Sequence, residues 1–160
     1  MCSREDKVLF FGLGNPILSD DAVGIRAVEL MREKVGEIDG YVFQTGSIGG
    51  FRIVDVMSGF KKVVFVDAIQ GDTPGKFYRL PMSTLSKSFH LTSPHTVNLY
   101  TAIELGRKMG AVMPDEVRVY VMEVLNCMCF GEGLSKPVAR NLEPFVDFII
   151  KEEIYANKAG

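Results

Sequence analysis

VLFFGLGNPILSDDAVG, residues 8–24, decides the fold. Its first part, Val8-Leu9-Phe10-Phe11, is a short apolar run stopped by glycine, which reads as a buried first strand. Its last part leads into a helix. From Asp21 to about Val35, the residues Val23, Ala27, Leu30 and Met31 fall at i, i+4, i+7 and i+8 and make one apolar face. Two nucleotide-binding versions of such an opening are excluded by its residues. The dinucleotide pattern Gly-x-Gly-x-x-Gly is met at Gly12 and Gly14, but its third position is Ile17, and Pro16 removes a backbone donor. The Gly-Lys-Ser/Thr ending of a mononucleotide P-loop is absent.

Working outward, Gly36 and Gly40 bracket the helix exit and Tyr41-Val42-Phe43 reads as a second strand. The turn TGSIGG then opens a short helix from Phe51 to Met57. Lys62 to Asp67 is the clearest buried strand, and it ends on an acid. Lys76 to Leu80 alternates as an edge or half-buried strand does. Ser93-Pro94 opens a helix, with Pro94 at its first position, that runs to about Met109 and closes at Gly110. Val117 to Leu125 is a fifth strand and Pro137 to about Ile154 a final helix. Strands alternating with helices across short glycine-containing turns predict a three-layer α/β/α sandwich around a mainly parallel, twisted sheet of about five strands.

The 160 residues carry no repeat, linker or low-complexity tract, so residues 1–160 read as a single domain. A hydrophobic fraction of 47%, a charged fraction of 24% and a net charge of −2 are ordinary for a soluble globular chain. The signs are mixed along the sequence, which gives no footprint for nucleic acid or an anionic membrane. The start MCSREDK lacks an apolar h-region, and no apolar run approaches the ~20 residues that span a bilayer. A cytoplasmic, reduced location is expected. Cys2, Cys127 and Cys129 cannot form a closed disulfide set and lack structural-zinc spacing. The Cys127-Met128-Cys129 run reads as packed thiols ahead of a soft-metal site.

In open α/β sheets, ligands bind in the crevice beyond the carboxyl ends of the strands. The loop after the first strand carries Asn15, Asp20 and Asp21 to that crevice, the third strand delivers Asp67, and the helix opened by Pro94 carries His95 in its first turn. Adjacent helical positions point roughly 100° apart, so Asp20 and Asp21 cannot both cap the helix. Asp20 is expected to cap it, a role worth roughly 0.5–2 kcal/mol. Asp21 is then left to face the crevice. Asp67 could instead bond nearby backbone amides, as aspartates at strand ends commonly do. His90, in SKSFHLTS, reads as solvent-exposed. Two carboxylates and an imidazole suit a divalent cation of borderline hardness, and the same groups can position and deprotonate a water.

GLGNP resembles the opening of bacterial peptidyl-tRNA hydrolases, an esterase alternative. That family, however, supplies a catalytic histidine within about a dozen residues, where this chain has SDDAVG and no histidine before His90. The fuller resemblance is to the hydrogenase maturation endopeptidases, which process the large subunit of nickel–iron hydrogenases. Gly12-Leu13-Gly14-Asn15-Pro16-Ile17-Leu18-Ser19-Asp20-Asp21-Ala22-Val23-Gly24 is similar to their first motif, with the leucine displaced by one. Val66-Asp67-Ala68-Ile69 looks like their strand-ending Asp-Ala pair, Ser93-Pro94-His95 like their Ser/Thr-x-His helix start, and Gly133-Leu134-Ser135-Lys136-Pro137-Val138 like a late family segment. One departure stands out. Many members carry an Asp-Gly-Gly-Thr-x-Gly stretch after the second strand, where this chain has Thr45-Gly46-Ser47-Ile48-Gly49-Gly50. A role carried by that aspartate does not transfer to Thr45.

The resemblance implies a phosphorylase/hydrolase-like sandwich that removes a C-terminal extension from a hydrogenase large-subunit precursor after nickel insertion. It assigns Asp21, Asp67 and His95 to metal contact and catalysis. The nickel would be supplied by the substrate, with other divalent metals as substitutes. Asn15, Gly46, Gly49 and Gly50 are candidates for the loop that meets the substrate peptide. The expected partner is the nickel-loaded precursor, and monomer is the expected state because no long apolar surface stripe stands out. A nickel-dependent docking or chaperone module without cleavage is the non-enzymatic alternative. The sequence offers no serine–histidine or cysteine–histidine nucleophile motif against it.

Overall fold

The computed structural model describes residues 6–48, 52–81, 94–125 and 129–158, with the side chains of 94–100 and 157 outside that description. The elements run β1 (Val8–Leu13), a tight turn (Ser19–Ala22), α1 (Val23–Val35), β2 (Tyr41–Gly46), α2 (Arg52–Met57), β3 (Lys62–Gln70) and β4 (Phe77–Leu80). They continue with α3 (Pro94–Lys108), β5 (Glu116–Val124) and α4 (Lys136–Ile150), which passes into a widened turn (Lys151–Tyr155) and a last tight turn (Ala156–Lys158). Phe51, the expected start of α2, and His90 lie outside the described residues, as do Gly49, Gly50 and two of the cysteines, Cys2 and Cys127.

One five-stranded sheet has the order β2-β1-β3-β5-β4. All neighbours are parallel except β4, which pairs antiparallel with β5 at the edge. The alternation of Lys76 to Leu80 predicts an edge or half-buried strand, and β4 sits at the edge of the sheet.

Side-chain alternation divides the core into two layers. On one face Phe10, Val64, Val66, Tyr120 and Met122 pack under α1 and α4, through Val23, Ala27 and Met31 of α1 and Phe145, Val146 and Ile149 of α4. On the other face Leu9, Phe11, Phe65, Val119 and Val121 meet Ile53 and Met57 of α2 and Ala102 and Ile103 of α3. Each fully buried aliphatic or aromatic side chain contributes ~1.5–3 kcal/mol from removal of its surface from water. This is the three-layer α/β/α sandwich that the pattern predicts.

The topology fixes where a ligand can bind. From β1 the chain moves outward to β2 across the α1 face, then returns through α2 to β3 on the other side of β1. The order therefore reverses between β1 and β3, and their carboxyl ends open a crevice there. No helix among the described residues is long and apolar enough to cross a membrane.

Candidate active site

The loop after β1 is pressed against the sheet by glycines. A Cβ on Gly24 would overlap the carbonyl oxygens of Val66 and Leu13, so only glycine lets the first turn of α1 sit directly over β1 and β3. A Cβ on Gly14 would overlap the carbonyl of Asp21. These two contacts bring the Ser19–Ala22 turn onto the crevice, packed against β3.

That turn replaces the helix start expected at Asp21, and α1 begins at Val23 with no side-chain cap. Both acids of the turn are buried. Asp21 Oδ2 accepts the Asn15 N–H at 2.8 Å, closing the loop on itself across six residues. Asn15 is thereby placed beside Asp21, and its Oδ1 accepts the Ile17 N–H at 3.2 Å.

Asp20 corrects the sequence expectation. Rather than capping α1, its carboxylate crosses to the loop that precedes α4, where it accepts the Ser135 N–H at 2.6 Å and the Ser135 hydroxyl at 2.7 Å. Ser135 is the N-cap of α4 and makes no side-chain bond to its own helix. The two residues are 115 positions apart. No local pattern announces such a contact, although both belong to motifs that the sequence singles out.

Asp67 also differs from its expected setting. The strand does not end there; β3 continues to Gln70 in register with β5, and Asp67 is fully buried. What ends is the pairing with β1, whose last partners are Gly12 and Val66. One step past Asp67 the Ala68 N–H donates to Asp67 Oδ1 at 2.8 Å. Alternation puts Asp67 on the face of Phe65 and Ile69, the face covered by α2 and α3.

His95 lies in the first turn of α3. Because α3 leads into β5, which is parallel to β3, the helix runs back along the sheet with its first turn toward the carboxyl rim. The imidazole itself is outside the described side chains. Among the described residues no three His, Cys, Asp or Glu side chains form a metal-holding group. Gly46 ends β2 at the same rim, paired with Leu13 and packed on the Phe11 ring, and Thr45 beside it is exposed. Cys129 is an exposed free thiol. An open cleft of about 590 Å³ between the end of α1 and the start of β2 is lined by Arg32, Gly36, Ile38 and Tyr41, at the opposite rim from these acids.

Fold and rim together define an α/β sandwich with buried carboxylates at its switch point. Residues 25–152 match the family model described as HycI, hydrogenase maturation protease. The chain belongs to the hydrogenase maturation protease family, and it is a peptide hydrolase. The matched span contains Asp67 and His95 and begins one residue after the opening motif ends at Gly24.

Its curated relatives include the hydrogenase expression/formation protein HupD of Bradyrhizobium diazoefficiens, 24% identical over 91% of this chain and 77% of that one. They also include the hydrogenase 2 maturation protease of Escherichia coli, 22% identical over 90% of this chain and 88% of that one. The maturating endopeptidase HybD of Escherichia coli shares the fold at a TM-score of 0.78, with 22% identity and 91% of each chain covered. The protease HycI of Thermococcus kodakarensis does so at 0.68, again with 22% identity and 91% of each chain covered. Family membership displaces the peptidyl-tRNA hydrolase reading.

Proposed function

We propose that this protease removes a C-terminal extension from the precursor of a nickel–iron hydrogenase large subunit, after nickel has been inserted. In this reading Asp21, Asp67 and His95 contact the nickel that the precursor carries, so the substrate supplies its own recognition signal. The supporting observation is the pair Asp21 and Asp67. They are buried acids from two separate segments at the carboxyl rim, where β1 and β3 part, and the first turn of α3 lies toward the same rim.

The chemistry follows from these groups. Peptide hydrolysis needs a water deprotonated as it attacks and a proton delivered to the leaving amine. Carboxylates and an imidazole supply both transfers, and the same oxygen and nitrogen donors suit a borderline divalent cation. Nickel held by these residues would polarise the scissile carbonyl, or one of the two aspartates would activate the attacking water. Other divalent metals in the precursor would serve as substitutes. Asn15, Gly46, Gly49 and Gly50 are the residues proposed to meet the substrate peptide. The proposed compartment is the cytoplasm and the proposed working form a monomer.

The test is mass spectrometry of a nickel-loaded precursor incubated with the protein. The expected result is a precursor shortened at its C-terminus, with the rate falling ~10²–10⁴-fold in Asp21→Asn, Asp67→Asn and His95→Ala. A precursor that stays bound and intact would establish the docking or chaperone alternative instead. Cleavage at the wild-type rate by all three variants would overturn the site assignment.

A further inference from the structure

We infer that Asp20 and Ser135 are positioning residues for Asp21, forming a strap that sets the geometry of the active-site turn. This rests on the site reading above, in which Asp21 reaches the substrate's metal. The strap is a run of contacts between two distant loops. The Ser19 N–H donates to the Gly131 carbonyl at 2.9 Å, and the Gly131 N–H donates to the Ile17 carbonyl at 3.1 Å. The Ser19 hydroxyl donates to the Gly133 carbonyl at 3.0 Å. The Asp20 carboxylate then takes both the N–H and the hydroxyl of Ser135.

Three features show that the strap constrains the turn. Ser19 holds a φ of 40°, the only positive value among the described non-glycine residues. A serine in that region is strained and persists only where its surroundings over-determine it. Here three hydrogen bonds to the 131–133 loop bracket it. Secondly, Asp20 is 6% exposed, so its contacts to Ser135 are shielded from water and are charge-assisted. Thirdly, Asp21 is the very next residue, and its Oδ2 accepts the Asn15 N–H from within the same loop, so the orientation of the turn sets where its carboxylate lies. Rotation of the turn would carry Asp21 away from Asp67, which is fixed in β3. The strap prevents that rotation. A misplacement of about 1 Å in a catalytic constellation costs on the order of a hundredfold in rate.

The experiment uses the full chain and the nickel-loaded precursor, with rates normalised to the folded fraction from near-ultraviolet circular dichroism. Asp20→Ala is expected to lower kcat ~10–100-fold while KM for the precursor changes less than about threefold. Ser135→Ala should lose a smaller part of kcat, and Ser135→Thr, which restores the hydroxyl, should recover it. Asp20→Asn should also retain most of kcat, because its amide can accept the Ser135 N–H and donate to the Ser135 oxygen. Folded Asp20→Ala that cleaves at the wild-type kcat, beside an inactive Asp21→Asn, would overturn the strap alone. A drop in kcat that vanishes on normalisation, or that Ser135→Thr fails to rescue, would reduce the contact to a structural one. Asp21→Asn at the wild-type rate would overturn the site reading and the strap together.

Discussion

Glu153 and Asp67 are both fully buried carboxylates, and strand β3 connects them. Lys62 at the start of β3 places its Nζ 2.6 Å from Glu153 Oε2, and Asp67 lies five residues further along, about 17 Å at strand rise. At the amino rim Glu153 also holds Arg118 Nη1 at 2.9 Å and the Tyr120 hydroxyl at 2.5 Å, both from β5. Glu116 adds contacts to Lys62 and Arg118. At the carboxyl rim the described bonds to Asp20, Asp21 and Asp67 come from main-chain N–H groups and a serine hydroxyl. Cations neutralise one buried acid and make it a lock between the chain's end and the sheet. The described donors to the others are neutral main-chain and hydroxyl groups, which orient those carboxylates at the rim.

Predictions that break this contrast begin at the lock. Glu153→Gln keeps the volume but leaves Lys62 and Arg118 facing an uncharged group. It should cost ~3–5 kcal/mol of stability, measured by urea unfolding, with kcat per folded molecule unchanged. A large fall in kcat at full folding would erase the division between the two rims.

A smaller effect should come from the glycine packing at the other rim. Gly24→Ala forces a methyl against the Val66 and Leu13 carbonyls, and overpacking of this kind costs ~1–3 kcal/mol. Here activity should fall together with stability, because the displaced element carries Asp21. Thermal unfolding alongside the cleavage assay checks both.

The smallest effect belongs to Tyr120. Burial, then the hydrogen bond to Glu153 and its charge, holds the Tyr120 hydroxyl well above the ordinary tyrosine value of 10.0. The folded state therefore keeps a proton that the unfolded chain releases, so its stabilising effect is present below pH 10 and is lost as pH rises past it. Tyr120→Phe should cost ~1 kcal/mol at neutral pH and flatten the decline in melting temperature above pH 10. Tyr41 and Tyr78, raised by burial in the same direction, maintain the rest of that decline. Cleavage should be unaffected.

The layers were legible in the sequence because periodicity is a local property. The run Val8 to Phe11, the face Val23-Ala27-Met31 and the alternation of β4 and β5 each report the surface that they bury. The motif resemblance likewise singled out Asp21, Asp67 and Ser135. Element ends were less legible. The helix expected from Asp21 begins as a tight turn, and β3 runs past its acid, because strand length is set by the partner β5 rather than by residue polarity.

By itself the sequence determined the class of fold, because hydrophobic periodicity is local to each element, and its motifs carried the resemblance to the family and named the acids to look for. The tertiary structure alone decided what each acid does there. Asp20 reads locally as a helix cap, yet it bonds across 115 residues to Ser135. Asp67 reads as the end of a strand, yet it is a buried residue where β1 and β3 part. Both outcomes depend on which distant backbone donors lie within hydrogen-bond reach. That is fixed only once the sheet has ordered its strands and the glycines have let the loops close upon it.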